Sequence, residues 1–182
     1  MACACSTGWS PTTTKTSDRK GGGEAVTEVR FYHLQRARLE EVLPVILERC
    51  YQRGERTLVL TGSTERAEAL AALLWTYRPD SFLPHGTARD GEAAQQPIFL
   101  SGPPAGEDQP ENANQASVLI LSDGARHTGL AEFRLVCELF DGHDEAAVAA
   151  AREQWRRCRE AGHAVVYFQQ AETGKWQETA RA

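Results

Sequence analysis

Thr57-Leu58-Val59-Leu60-Thr61, then Gly62-Ser63-Thr64 and Glu65-Arg66-Ala67, is the stretch that decides the fold. Its apolar run has strand length and no polar alternation, the pattern of a strand buried on both faces of a parallel sheet. Gly62-Ser63-Thr64 turns the chain. A helix then runs from Thr64 to about Thr76, with Ala67, Leu70, Ala71 and Leu74 on one face and Trp75 beside them. Upstream, Val29 to Leu34 reads as a short strand with aromatic content. Leu39, Val42, Leu43, Ile46, Leu47 and Cys50 follow at the three- and four-residue spacing of an amphipathic helix. Pro44 inside that helix predicts a kink or a late start, and Gly54 marks its end. Strand, helix, strand, helix favours an α/β fold with a parallel sheet and a right-handed crossover.

The second half is read more coarsely. Residues 78–96 are irregular, Pro97 to Leu100 is a short strand, and 102–115 is a Pro/Gly/Asn/Glu-rich mobile loop. Ser117 to Leu121 and Phe133 to Phe140 are buried strands. A third helix covers 145–161, capped near Asp144 and stopped by Gly162, and Ala164 to Phe168 is a last strand. Residues 1–25, rich in Thr, Ser, Gly and Lys, bury too little apolar surface to order and are expected to be a tail. A single domain over 26–177 and a short C-terminal tail, 178–182, complete the expected organisation. A chain of 182 residues suits one such core.

Composition excludes several functions. The net charge of −5 gives no whole-chain footprint for nucleic acid, so any DNA contact is expected to be indirect. No apolar run approaches the roughly 20 residues of a membrane span. The N-terminal residues do not form a secretory signal, and a cytoplasmic protein with reduced thiols is expected. Cys3, Cys5, Cys50, Cys137 and Cys158 have no zinc-type spacing, and His33, His85, His127, His143 and His163 are scattered, so no metal or other cofactor is expected. The turn at Gly62 lacks both the GxGxxG and the GxxxxGK[ST] phosphate cradles, and no GxSxG elbow is present. Asp141, Asp144 and Glu145 read as an acidic helix start, which the helix dipole favours, more than as a catalytic pair. No catalytic residues are assigned.

Two surface motifs remain. Arg152, Arg156 and Arg159 lie at i, i+4 and i+7 on one helix face, with Trp155 at its border. Guanidinium groups around an aromatic ledge suit an acidic peptide with an apolar end residue; a solvated basic face is the ordinary alternative. Trp75 and Phe82, with Leu83 beside them, are either cover for the core edge or an exposed apolar patch that docks a partner.

Leu74-Trp75-x-x-x-Pro79-x-Ser81-Phe82-x-Pro84-His85 and Ala151-Arg152-Glu153-x-Trp155-Arg156-x-x-Arg159-x-Ala161-Gly162 together resemble the chi subunit family of bacterial DNA polymerase III. Phe31-Tyr32-x-Leu34 and Thr173-Gly174-Lys175-Trp176 are similar to the family's two ends. The resemblance spans about residues 28–177. It implies a Rossmann-like α/β fold, with a mixed, mostly parallel sheet and helices on both faces, and a non-catalytic accessory subunit of the replication machinery, paired one-to-one with a psi subunit and through it with the clamp loader. It also implies binding of the acidic C-terminal tail of single-stranded-DNA-binding protein, which ends in Asp-Asp-Phe-type residues. By this resemblance Trp75 and Phe82 match the psi contact, and Arg152, Trp155 and Arg156 match the tail pocket. The family usually carries Tyr and Lys where this chain has Trp155 and Arg156, and a basic residue where it has Val148. The competing readings are a small nucleotide-binding α/β domain and a helicase accessory factor.

Overall fold

The computed structural model describes residues 26–103 and 111–182; the expected tail 1–25 and the middle of the 102–115 loop lie outside them. Strands β1 (Glu28–Leu34), β2 (Thr57–Leu60), β3 (His85–Thr87), β4 (Ile98–Ser101), β5 (Val118–Leu121), β6 (Leu135–Asp141), β7 (Ala164–Gln170) and β8 (Trp176–Arg181) form one sheet. Helices α1 (Leu39–Gln52), α2 (Thr64–Leu74) and α3 (Glu145–Glu160) connect them. The strand order is β3-β4-β2-β5-β6-β1-β7-β8, parallel throughout except for the antiparallel pair β7–β8.

The apolar run at Thr57 becomes β2, buried at all four positions and paired on both sides, with β4 and β5. Strand alternation divides its side chains between two cores. Val59, Ile120 and Cys137 join α1 and α2 on one face. Leu58, Leu60, Leu119, Leu121, Val136 and Phe31 join Ala151 and Cys158 of α3 on the other. Helices therefore cover both faces, as the continuous apolar strands require.

Helix α1 does not start late. It begins at Leu39 behind Arg38, whose N–H is capped by the Glu41 carboxylate, and it carries Pro44 in its second turn with the ring buried. Past the first turn the proline forgoes one helical hydrogen bond, to the Glu40 carbonyl, and its buried ring packs in the core in exchange. Residues 78–96 are less irregular than expected, since β3 and a 3-10 turn at Ala93–Gln95 lie within them. The second buried strand starts at Leu135, after a 3-10 turn, Leu130–Glu132, that folds Phe133 into the core. The expected C-terminal tail is corrected: residues through Arg181 belong to β8, an edge strand antiparallel to β7. Its sequence, WQETAR, lacks apolar alternation because almost all of it is exposed, so backbone pairing defines it and charges protect its open edge. The end of the 102–115 loop is built into the structure. Asn114 is buried and donates from Nδ2 to Thr57 O (3.1 Å) and Gln96 O (3.3 Å), tying the loop to the start of β2.

One carboxylate lies inside the α3-side core. Glu138 of β6 is 5 % exposed; Arg126 Nη1 donates to its Oε1 at 3.0 Å, while Oε2 has no partner among the described residues. Burial pushes its pKa up to about 7 against the opposing pull of Arg126. A carboxyl whose folded pKa exceeds its ordinary 4.5 favours folding below that value, and this contribution is lost as pH rises through about 7. Glu138→Gln should therefore flatten the fall in stability between pH 5 and pH 8. Relative to the parent it should be on the order of 2 kcal/mol better off at pH 8 than at pH 5. Denaturant titrations at the two pH values check this, and an unchanged slope would rule it out.

Candidate functional site

Strands β1 and β6 are neighbours, yet β1 leads into α1 on one face and β6 into α3 on the other. This is a topological switch point, where open α/β sheets bind ligands. A crevice of about 1000 Å³ opens there, lined by Arg36, Arg38, Arg66, Asp123, Asp141 and His143 among others. Much of its charge is satisfied from within. Arg66 bridges Glu40 (2.7 Å) and Asp123 (3.2 Å), and Glu40 is held below the usual carboxylate range chiefly by that bond. Asp144 caps α3 by accepting from Ala146 N at 2.8 Å, and Asp141 accepts from His143 N at 2.8 Å. The two helix starts at the crevice that could cradle a phosphate already hold carboxylates of the same chain, Glu41 on Arg38 N at the head of α1 and Asp144 on Ala146 N at the head of α3. The acids 141, 144 and 145 serve the helix start, in line with the ordinary reading of that cluster.

The first aromatic surface lies where α2 ends. Trp75 is 59 % exposed and Phe82 68 %, with ring centroids 5.9 Å apart. Leu83 is 2 % exposed and belongs to the core, so it anchors the patch and is corrected as a contact residue. Trp75 rests on His85 at 4.7 Å; the His85 ring is fixed between Leu83 O (2.8 Å) and Ala71 O (3.0 Å). The loop between the two aromatics is pinned by Glu48 of α1, whose Oε1 accepts from Ser81 Oγ (2.8 Å) and Tyr77 Oη (2.9 Å). Those hydroxyls hold the Glu48 carboxyl below its usual range. Two large apolar rings are therefore held rigidly in solvent, which suits a docking surface.

The second surface is the exposed side of α3. Arg152, Arg156 and Arg159 are all exposed on it, as their spacing predicts. Arg156 pairs with Glu153 at 2.6 Å, and Arg157 shares the same carboxylate. Arg152 and Arg159 make no ion pair among the described residues, so they are the available charges. Trp155 is half-buried, with its ring 5.5 Å from Phe31 in the core and 6.0 Å from Tyr167 of β7 in a T-shaped contact. Val148 packs against the α3-side core, an apolar cover where the resembling family has a base. Sequence reasoning missed Tyr167 and His33, which complete this surface: Tyr167 Oη lies 3.0 Å from His33 Nδ1. The available signal was strand alternation, which puts Val165 and Tyr167 on the face that α3 covers.

The two surfaces stand far apart. Trp75 and His85 border β3, while Trp155 and Tyr167 lie over β1 and β7 on the opposite face. Six strand spacings separate β3 from β7, about 29 Å along the sheet.

The family described as DNA polymerase III chi subunit, HolC, matches residues 26–166, the bulk of the described fold. A relative from Rickettsia prowazekii (strain Madrid E), described as probable DNA polymerase III subunit chi, is 32 % identical over 91 residues, covering 50 % of this chain. The matched stretch spans about half (52 %) of that relative's length. This chain belongs to the DNA polymerase III chi subunit family.

Proposed function

We propose that the protein is a non-catalytic accessory subunit of bacterial DNA polymerase III. In this reading it is an adaptor that joins a psi subunit, and through it the clamp loader, to the acidic C-terminal tail of single-stranded-DNA-binding protein. The observation that carries the reading is the pair of surfaces at opposite ends and faces of one rigid sheet. One is apolar and aromatic, suited to a permanent partner; the other is cationic with an aromatic ledge, suited to an acidic peptide. A single rigid domain that holds two partners about 29 Å apart has the geometry of a linker. The self-neutralised crevice supports this reading over the nucleotide-binding alternative, because its helix starts already hold carboxylates. DNA contact is indirect in this account, as the net charge of −5 favours.

Calorimetric titration with a peptide carrying that tail, alongside the same peptide lacking its terminal Phe, tests the central claim. Binding of the first alone supports the adaptor; binding of neither removes the tail from the account.

The pocket assignment predicts that Arg152→Ala weakens the tail peptide by about 1.5–3 kcal/mol, the weight of a charge-assisted hydrogen bond. Affinity should also fall with added salt, since the pairing is exposed. An unchanged affinity would mean that the pocket lies elsewhere. Trp75→Ala should abolish co-purification with psi yet leave tail affinity within experimental error, because the two surfaces share no residue. Loss of both, with a lowered melting temperature, would show that Trp75 holds the fold and not a partner.

A further inference from the structure

The hydrogen bonding beneath the α3 surface is uneven. Tyr167 Oη and Gln169 Nε2 both lie 3.0 Å from His33 Nδ1. The amide nitrogen of Gln169 can only donate, so Nδ1 accepts and the ring proton resides on Nε2. Nδ1 has one lone pair and two donors aimed at it, so one donor is surplus. The ring cannot turn to relieve this. His33 is 8 % exposed, is stacked on Phe140 at 5.1 Å, and is closed in by Gly142, where a Cβ would come within 2.2 Å of Nε2. Burial lowers the His33 pKa, opposed by a hydrogen bond to the Gly142 backbone and aided by the Arg152 charge.

Of the two donors, the hydroxyl is the free one, since its proton rotates about a single bond. The Tyr167 ring is held by Trp155, and the Arg152 charge reaches it, opposing the rise in its pKa that burial causes. We propose that Tyr167 is a ligand-contacting residue of this surface, its hydroxyl swinging from His33 to donate to the carboxylate of an acidic peptide held at Arg152. Gln169 is a positioning residue: it keeps Nδ1 satisfied when the hydroxyl leaves, so the ligand gains a donor without orphaning Nδ1, whereas Nε2 has no partner among the described residues in either arrangement. The proposal rests on the peptide-binding reading given above.

Calorimetry with the tail peptide and with its C-terminally amidated form tests it. Tyr167→Phe keeps the ring against Trp155 and removes only the hydroxyl. It should weaken the free-acid peptide about tenfold, the weight of one hydrogen bond to a charged group, with little effect on the amidated peptide and an unchanged melting temperature. Gln169→Leu should weaken the free acid by about threefold, because the hydroxyl must then stay on His33. The double variant should be no weaker than Tyr167→Phe alone. If the parent binds and Tyr167→Phe binds equally well, this inference falls while the peptide site stands. Equal losses for both peptides would make Tyr167 a packing residue and also overturn it. Additive losses in the double variant would overturn the positioning role of Gln169. If the parent binds neither peptide, the peptide-binding reading fails, and this inference with it.

Discussion

The parallel pairing of β1 with β6, seven residues in register from Glu28–Leu135 to Leu34–Asp141, is the constraint on which the rest of the structure depends. The first strand of the chain is placed in the interior, between β6 and β7, and so joins the central strands to the C-terminal pair. Phe31 at its middle is fully buried and packs against Trp155. From this seam the chain departs to opposite faces, α1 to one and α3 to the other, which gives each face its own core. Without the seam, α3 would lose Phe31 and Val165 as its floor, and the two surfaces would no longer belong to one body.

Rigidity at each surface comes from buried polar contacts as well as from apolar packing. Glu48 joins α1 to the loop carrying Phe82 through two hydroxyls, and His85 underlies Trp75 between two main-chain carbonyls. Around α3, His33 plays the matching part, fixed by Phe140 and Gly142 and touching Tyr167. Exposed aromatic rings lose less entropy on binding when their supports are already ordered. The exposed parts are therefore few and the buried supports numerous, and substitution of a support should act through the contact it orients.

The sequence made the fold legible where a single physical signal dominated. Continuous apolar runs marked β2 and β5 because both faces of those strands are buried, and three- and four-residue spacing marked α1 and α2. It failed where backbone pairing acts without side-chain burial, as in β8, and where three short residues, His85 to Thr87, pair at an edge. The arginine face of α3 followed from periodicity because exposure on a helix is a local property. Whether Leu83 faced solvent was not local, since its burial depends on how the loop after α2 returns to the core. Tyr167 was hidden for the same reason: its partners Trp155 and His33 lie 12 and 134 residues away.

Trp155 marks the boundary between the apolar and the cationic side of α3. One side of it meets Phe31 in the core and another meets Tyr167 near the solvent. It is thus both the last residue of the apolar face and the first of the cationic one. Its neighbours in the helix divide the same way, with Ala151 and Cys158 buried and Arg152, Arg156 and Arg159 exposed. Since Glu153 already engages Arg156, the uncommitted charges on this face are Arg152 and Arg159, and Arg152 is the one whose charge reaches Tyr167. In the proposed reading the ligand's carboxylate is drawn to the end of the ledge nearest Tyr167 and His33, recognition is focused where helix and sheet meet, and the basic face as a whole serves mainly to attract.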